Sequence, residues 1–445
     1  MRRVPAALVL VLWVGCGGGV PDINDRTPPE LVSWSPEDGS TLVPIGAEIL
    51  FTFDETVQET FEVQVEVDGV PVSVGARRSA DDTKTIVIDP PAVSTLPANV
   101  TVTLSGVEDI FGNLADPQPS LGWTYPEWIP YGEQLTTAAG LRLAAGPTGP
   151  VVAWLSGTAV QVSRWNGSSW DALASPGTAT TIALLADPGD GAPLVVLGGN
   201  PYVVRRYASG SWSTVGNTIP AQSTPSLGTA LAHEGGALHV AFANAYSSGS
   251  CNAGTQSGCG RVCVYRLSGA PWQPGAAWEA RACLGFTWSV SLTGFGADGL
   301  GVVIGNGTAV RRLPDATPSS TGTFTTLGSV SDVTAVGAYG GIPIALVGGA
   351  PLRWSFSSSV WQPMSDGITG AKELSAFNDT LPVVLATSGG FVKVLRWNPT
   401  AEQWEQLGAD FAGTSAQAER TAVATTATGN AVYRSIDGMV AKYNE

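Results

Sequence analysis

The chain has 445 residues and a net charge of −15, with 44% hydrophobic and 13% charged residues. Its 37 acidic residues outnumber its 22 basic residues, so it lacks the basic field that binding to nucleic acid or anionic lipid headgroups requires. The acidity is uneven, because residues 17–127 have nineteen acidic and four basic side chains, whereas residues 128–445 have eighteen and sixteen. This acidity is typical of a solvated, non-adhesive spacer.

The chain begins with the pattern of an export signal. Two arginines precede an apolar run that is too short to span a bilayer. The run ends in Trp-Val-Gly-Cys, which resembles a bacterial lipobox, with the small Gly15 before Cys16. The resemblance implies a signal peptide at 1–15, lipidation of Cys16 and a lipidated tether at 16–26, which would anchor the protein at the outer membrane or cell surface. Ordinary secretion without a lipid is the alternative.

Residues 27–127 contain short apolar runs separated by turn clusters such as SPEDGS and DIFGN. Seven runs predict an antiparallel sandwich: ELVSW, EILFTF, VQVEV, PVSVG, TIVID, VTVTL and GWTY. The stretches TPPELVSWSPEDGSTLVPIGAEILFTFDETV and LPANVTVTLSGVEDIFGNLADP resemble the bacterial Ig-like domains of surface-layer and cell-envelope proteins. The resemblance implies a stalk without catalysis. Calcium held by loop carboxylates is the alternative, although no Asp-x-Asp-x-Asp spacing occurs.

Residues 128–445 contain an internal repeat. One mark is an aromatic residue near the end of the first six units: Trp170, Trp212, Trp272 or Trp278, Phe324, Trp361 and Trp404. A second mark is a basic residue that precedes an apolar or aromatic one: Arg164, Arg206, Arg266, Arg312, Arg353, Arg396 and Lys442. Each basic residue ends an alternating strand, and two further apolar strands precede that strand. The repeat predicts seven units of four strands.

The seventh unit has no closing tryptophan strand of its own before the chain stops at Glu445. The stretch Trp-Ile-Pro-Tyr-Gly at 128–132 has the closing pattern but precedes the first unit. We therefore expect residues 128–132 to pair with the strand around 439–443. The predicted fold class is all-β, with an Ig-like sandwich at 27–127 followed by a seven-bladed β-propeller at 128–445 that this N-terminal strand closes.

Two stretches, VVLGGNPYVVRRYASGSWSTVG and VLRWNPTAEQWEQLG, resemble kelch-type and galactose-oxidase-type propellers. The shared features are paired glycines, the strand that follows them and a closing tryptophan; the glycine pairs are Gly198-Gly199, Gly348-Gly349 and Gly389-Gly390. The recurrent tryptophans are explained either by packing between blades or by carbohydrate stacking, and their regular recurrence favours packing. The recurrent basic residues likewise favour a repeated strand-end contact over a ring of ligand-binding groups.

The residues predict no catalytic centre, metal or cofactor. His233 and His239 lie in LAHEGGALHVAF, where the spacing and the hairpin context do not fit a helical His-Glu-x-x-His zinc site. Two histidines are too few for a copper site like that of galactose oxidase. The chain has no Gly-x-Ser-x-Gly elbow, and the acidic residues of the repeat are scattered. An extracellular hydrolase or lyase acting on glycan or peptide at the propeller channel is the alternative function.

The third unit has an insertion, NAYSSGSCNAGTQSGCG at 244–260, between its second and third strands. Apart from Cys16, the chain has four cysteines: Cys251, Cys259, Cys263 and Cys283. In an exported chain they favour disulfides over zinc, because their spacings are not those of paired Cys-x-x-Cys knuckles. Of the three possible connectivities, the most local one joins Cys251 to Cys259 and Cys263 to Cys283. Long loops persist mostly where they bind something or where they are tolerated as surface insertions. This insertion is therefore the candidate binding loop, and an idle insertion is the alternative. Its candidate contact residues are Tyr246, Asn252, Thr255 and Gln256.

Together these patterns predict an exported, membrane-anchored binding or scaffolding protein of the bacterial cell envelope. The propeller would present the interaction face to a protein or glycan of the envelope or extracellular space. We expect a monomer that binds no nucleic acid and contacts the membrane through its lipid anchor only.

Overall fold

The computed structural model describes residues 26–132, 135, 141–219, 226–234, 237–245, 260–268, 275–286, 294–297, 301–305, 309–314, 324–365, 367–376, 380–388, 391–412, 420–426, 429–436 and 439–444. All regular elements in these ranges are β-strands. Among the described residues, no helix has the length and apolar character that a membrane crossing needs. The chain folds into two compact units, Met1–Tyr125 and Pro126–Glu445.

The first unit contains eight strands: β1 (Leu31–Ser35), β2 (Ile49–Phe53), β3 (Glu62–Val67), β4 (Val70–Val72), β5 (Ala76–Arg78), β6 (Thr85–Ile88), β7 (Ala98–Ser105) and β8 (Ser120–Tyr125). They form two antiparallel sheets in the orders β1-β2-β6-β5 and β4-β3-β7-β8. The seven predicted runs correspond to all of these strands except β5, which pairs with the end of β6. Its sequence Ala-Arg-Arg has no apolar alternation, and its pairing alone makes it a strand.

Apolar alternation places one core between the two sheets of the first unit. In β7, buried and more exposed residues alternate along all eight positions, as expected for a strand with one face in the core. Phe51 and Phe53 of β2 and Leu104 of β7 are at most 1% exposed. Burying side chains of this size stabilises the fold by roughly 1.5–3 kcal/mol each.

The second unit begins with β9 (Trp128–Pro130) and continues with strands that form successive antiparallel sheets. The first sheet contains β10 (Arg142–Gly146), β11 (Gly149–Ser156), β12 (Ala159–Trp165) and β13 (Trp170–Ala172). The second contains β14 (Thr181–Ala186), β15 (Pro193–Gly198), β16 (Val203–Ala208) and β17 (Ser211–Thr214). The third contains β18 (Ser226–Glu234), β19 (Ala237–Ala245), β20 (Gly260–Ser268) and β21 (Ala277–Phe286).

The same four-stranded arrangement continues along the rest of the chain. The fourth sheet contains β22 (Gly294–Ala297), β23 (Gly301–Gly305), β24 (Val310–Pro314) and β25 (Thr325–Thr326). The fifth contains β26 (Val333–Tyr339), β27 (Ile342–Val347), β28 (Ala350–Ser355) and β29 (Val360–Pro363). The sixth contains β30 (Ala371–Ser375), β31 (Val383–Ser388), β32 (Phe391–Asn398) and β33 (Gln403–Gln406), and the short β34 (Phe411–Ala412) also pairs with β32.

The seventh sheet joins the two ends of the second unit. It has the order β35-β36-β37-β9, with β35 (Arg420–Thr426), β36 (Gly429–Ile436) and β37 (Met439–Tyr443). Trp128 lies opposite Tyr443, and Pro130 lies opposite Ala441. This pairing agrees with the one predicted from the tryptophan spacing. The first strand of each sheet contacts the first strand of the next, and β35 contacts β10.

Candidate functional site

The closing tryptophans pack against the strand that precedes them in their own sheet. In register, Trp170 lies opposite Trp165, Trp212 opposite Tyr207, Trp278 opposite Leu267, Trp361 opposite Trp354 and Trp404 opposite Trp397. The four aromatic pairs among these are edge-on, with ring centroids 5.2–5.6 Å apart. Of the two aromatic residues proposed to close the third unit, Trp278 occupies this place, and Trp272 lies outside the described residues.

The indole nitrogen of each of these tryptophans connects two neighbouring sheets. It donates a hydrogen bond to a main-chain oxygen just after the closing strand of the preceding sheet: Trp278 to Val215 at 2.8 Å, Trp361 to Leu327 at 2.7 Å, Trp404 to Met364 at 2.7 Å, Trp170 to Tyr131, and Trp212 to Ala174. The tryptophans therefore serve packing between sheets, as their regular recurrence predicts.

The glycine that follows several closing strands has a structural reason. Gly216 and Gly328 have φ values of 67° and 62°, a region that residues with a side chain rarely adopt. A Cβ atom at Gly216 would lie 2.8 Å from Cδ1 of Trp278, and one at Gly328 would lie 2.9 Å from Cζ3 of Trp354. The glycine thus provides both the turn and the space that the next sheet's aromatic ring occupies.

Trp128 occupies the closing place of the seventh sheet. Its ring lies edge-on to Tyr443 with centroids 5.2 Å apart, and a Cβ atom at Gly408 of the sixth sheet would come within 2.6 Å of its indole nitrogen. The guanidinium carbon of Arg434 lies 4.2 Å from the centroid of the Trp128 ring. Burial lowers the pKa of Arg434 to about 10, although the nearby Glu127 carboxylate opposes this shift. A charged Arg434 facing the ring makes a cation–π contact.

The recurrent basic residues have different partners in different sheets. Arg206 forms ion pairs with Asp187, at 3.2 Å, and with Asp190, both in the turn between the first and second strands of its own sheet. The guanidinium carbon of Arg312 lies 5.6 Å from the ring centroid of Phe356 in the next sheet. Arg353 instead reaches Glu402 in the next sheet. These three residues therefore share neither the repeated strand-end contact that the sequence favoured nor a uniform ring of ligand-binding groups.

A pocket of about 220 Å³ lies between the fifth and sixth sheets; we call it the intersheet pocket. Its lining residues are Tyr339, Ile342, Ile344, Arg353, Met364, Trp397, Pro399 and Glu402. Three of them are almost fully buried, with exposures of 1% for Ile344, 2% for Met364 and 3% for Trp397. These three side chains belong to one apolar cluster and form the floor of the pocket.

The polar groups of the intersheet pocket lie at its more exposed rim. Nη1 of Arg353 lies 3.4 Å from Oε1 of Glu402, and the side chains are 36% and 65% exposed. Glu402 lies in the turn between β32 and β33 with a φ of 47°, which costs a residue with a side chain about 1 kcal/mol or more. The sequence pattern included Arg353 among the recurrent basic residues but gave no role to Glu402. The sequence feature that could have pointed to Glu402 is its position two residues before the closing tryptophan Trp404.

The candidate binding loop and most predicted covalent sites lie outside the described residues. They are Cys16, Tyr246, Cys251, Asn252, Thr255, Gln256 and Cys259. Cys263 is 2% exposed and disulfide-bonded. Cys283 lies opposite Cys263 in the register of β20 and β21. The proposed connectivity, Cys251 to Cys259 and Cys263 to Cys283, stays a prediction.

The two histidines and the acidic loops hold no group of three or more potential metal ligands in the part of the chain that the structure describes. Burial lowers the pKa of His233, although the Asp187 carboxylate opposes this shift. His239 is 4% exposed and lies on β19, whereas His233 lies on β18. They are therefore on two neighbouring strands of the third sheet rather than on a helix.

The Asp-Ile-Phe-Gly-Asn turn of the first unit is held by its own aspartate. Asp109 is fully buried, and its carboxylate accepts hydrogen bonds from the backbone N–H groups of Phe111 and Asn113, each at 2.8 Å, and from the Asn113 side chain at 2.7 Å. Burial alone would raise the pKa of Asp109, but the hydrogen bonds from this turn lower it overall. The carboxylate thus has a structural task in the turn.

The comparisons with known proteins agree with the division of the chain into two units. A family model described as bacterial Ig-like domain matches residues 25–125, and such domains are typical of extracellular or surface proteins. No curated protein sequence matches the chain.

Among solved structures, the chain is similar to CopC from Methylosinus trichosporium OB3b, with 18% identity, coverage of 22% of this chain and 93% of CopC, and a TM-score of 0.19. It is similar to the Aleuria aurantia lectin in complex with Fucalpha1-6GlcNAc, with 15% identity, coverage of 64% and 99%, and a TM-score of 0.40. It is also similar to a Mycobacterium tuberculosis puromycin-hydrolyzing peptidase, with 9% identity, coverage of 91% and 57%, and a TM-score of 0.41.

Proposed function

We propose that the chain is an exported, lipid-anchored binding or scaffolding protein of the bacterial cell envelope. The match of residues 25–125 to a bacterial Ig-like domain supports a surface location. The apolar run before Cys16 supports export and lipidation. In this proposal the first unit is a spacer, and the second unit carries the interaction face for a protein or glycan partner.

The second unit is, in this proposal, a seven-bladed propeller of the kelch or galactose-oxidase type. The observation that carries it is the set of seven successive antiparallel sheets in the described residues, whose first strands contact one another in order, with β35 against β10. The pairing of β9 with β37 supports closure by the N-terminal strand. Closure would cover the strand edges and apolar faces that the first and last blades would otherwise expose. Such a ring is a rigid platform for binding.

The insertion at 244–260 supplies one candidate binding face of that platform. It joins β19 to β20, whereas the corresponding connection in the fifth sheet has only two residues, Gly348 and Gly349. A disulfide between Cys251 and Cys259 would restrain the insertion, and one between Cys263 and Cys283 would restrain the strands beside it. A restrained polar loop loses less conformational entropy when it binds a partner.

The binding function can be tested by co-sedimentation of the full chain with purified cell walls and with outer-membrane vesicles, followed by mass spectrometry of the supernatant. We expect saturable co-sedimentation without release of soluble fragments. Replacing residues 247–258 with a short Gly-Ser turn should abolish partner capture at an almost unchanged melting temperature if this loop is the binding face. Steady release of glycan or peptide fragments would contradict the proposal and support the enzymatic alternative.

The lipid anchor can be tested separately by cell fractionation. Cys16→Ser removes the thiol that would accept the lipid, so the variant should move from the membrane fraction to the soluble fraction. An unchanged membrane fraction would contradict lipid anchoring at Cys16.

A further inference from the structure

We propose that the intersheet pocket binds one pyranose ring of a neutral glycan. This inference rests on the proposed binding function and names a site and a ligand class for it. The pocket has an apolar floor and a rim with a donor-rich guanidinium and an acceptor carboxylate. A pyranose ring has the same two-sided character, with C–H groups that favour apolar surfaces and hydroxyl groups that both donate and accept hydrogen bonds.

The floor of the pocket is fixed before any ligand arrives. Trp397 packs edge-on against Trp404 with ring centroids 5.4 Å apart, and the indole nitrogen of Trp404 donates to the main-chain oxygen of Met364 at 2.7 Å. Ile344 and Met364 are buried beside Trp397 in one cluster. A preformed floor of this kind costs little conformational entropy on binding.

The rim favours a neutral ligand over a charged one. Arg353 and Glu402 already balance each other's charge at 3.4 Å, so a ligand with a net charge would leave one of them without compensation. A pair of neighbouring hydroxyl groups can accept from the guanidinium and donate to the carboxylate at the same time. An exposed ion pair of this length contributes little to stability, and rearranging it around a ligand therefore costs little.

This carboxylate distinguishes the pocket from the corresponding places in other sheets. Two residues before the closing tryptophan, the second sheet has Gly210 and the fifth sheet has Ser359, both with positive φ. Glycine tolerates this backbone conformation best, yet the sixth sheet has Glu402 there. Between the fourth and fifth sheets, the basic residue faces the apolar ring of Phe356 instead. A carboxylate two residues before the closing tryptophan, next to the basic residue of the preceding sheet, thus sets the sixth sheet apart from the second and fifth sheets.

The test measures binding of methyl glycosides to the full chain by saturation-transfer NMR and calorimetry. The probes are the methyl glycosides of glucose, galactose, mannose, fucose, rhamnose and N-acetylglucosamine, with methyl sialoside and methyl glucuronoside as anionic comparators. We expect at least one neutral glycoside to bind more tightly than both anionic ones. Glu402→Gly should weaken this binding about 10- to 100-fold, which corresponds to one lost charged hydrogen bond, while its melting temperature stays the same or rises because glycine suits the turn.

Two further variants test whether the glycoside binds in the intersheet pocket rather than elsewhere on the chain. Arg353→Gln should weaken binding by a similar factor, whereas Arg164→Met removes the corresponding basic residue of the first sheet and should leave binding unchanged. The inference is overturned if no neutral glycoside binds, if an anionic one binds best, or if Glu402→Gly binds as well as the original chain. Co-sedimentation with cell walls that persists without glycoside binding would overturn the sugar site alone, whereas glycoside binding without co-sedimentation would overturn the envelope role.

Discussion

The first unit buries its apolar side chains in one core, whereas the second unit distributes them among smaller clusters. Sixteen buried residues of the first unit form a single cluster between its two sheets. In the second unit, one cluster joins Leu194 of the second sheet to Val240 and Trp278 of the third, and another joins Ile344 of the fifth sheet to Trp397 of the sixth. A change in the sandwich therefore affects the whole unit, whereas a change in the repeat acts through neighbouring sheets.

Charge separates the two units as clearly as packing does. The segment 17–127 has a net charge of −15, and the segment 128–445 has a net of −2. A strongly acidic surface resists non-specific association, which suits a spacer. The nearly neutral second unit contains the intersheet pocket, where opposite charges are paired. Binding experiments should therefore be directed at the second unit.

The largest expected effect comes from deleting residues 128–132. The deletion removes the strand that pairs with β37 and the Trp128 ring that packs on Tyr443, so we expect the second unit to lose at least about 5 kcal/mol and its cooperative transition. The first unit should keep its own transition in calorimetry. Trp128→Phe retains the strand and a ring, and should retain both transitions. An unchanged profile of the deletion variant would show that the second unit does not depend on this strand.

A core change in the first unit should have the next largest effect. Phe51→Ala opens a cavity in the single core, where Phe51 is fully buried, and should cost about 3–5 kcal/mol in the free energy of unfolding. Phe111 is 37% exposed in the same unit, so Phe111→Ala is the matched control with a much smaller effect. Urea unfolding followed by tryptophan fluorescence checks both. Equal effects of the two variants would contradict a single tightly packed core.

Two glycines of the second sheet separate backbone strain from packing between sheets. Gly210 and Gly216 both have positive φ, but only Gly216 meets the Trp278 ring of the next sheet, since a Cβ atom at Gly210 has open space. Gly210→Ala should cost about 1 kcal/mol from backbone strain. Gly216→Ala should cost about 2–3 kcal/mol, because overpacking is added to that strain. Similar losses in thermal unfolding would show that the ring adapts and that the contact is not restrictive.

The smallest expected effect is a pH dependence confined to the first unit. The pKa of Asp109 is lowered in the folded state, so its stabilising contribution is present above the pKa of the unfolded chain, about 3.9, and is lost as pH falls towards the folded value. The melting temperature of the first unit should fall by a few degrees between pH 5 and pH 2.5. Asp109→Asn should reduce this dependence. An identical pH profile for the variant would assign the acid sensitivity to other carboxylates.

The sequence alone predicted the strands that are marked by a local pattern of residues. Alternation along seven runs identified all strands of the first unit except β5, and the recurrent closing aromatics identified the positions of Trp170, Trp212, Trp361 and Trp404 in their sheets. These patterns can be recognised in the sequence for two reasons. Side chains of a half-buried strand alternate between the core and the solvent, and the same arrangement of strands recurs along the chain. The number of blades and the anchor at Cys16 stay predictions.

The tertiary structure decided the features that depend on residues distant in the sequence. The choice of Trp278 as the third closing tryptophan follows from its register opposite Leu267 and its hydrogen bond to Val215. The intersheet pocket requires Arg353 and Glu402, which come from adjacent sheets and meet only when those sheets pack together. Neither residue carries a local pattern that identifies its partner, because the contact depends on the turn conformation of Glu402 and on the packing of the fifth sheet against the sixth.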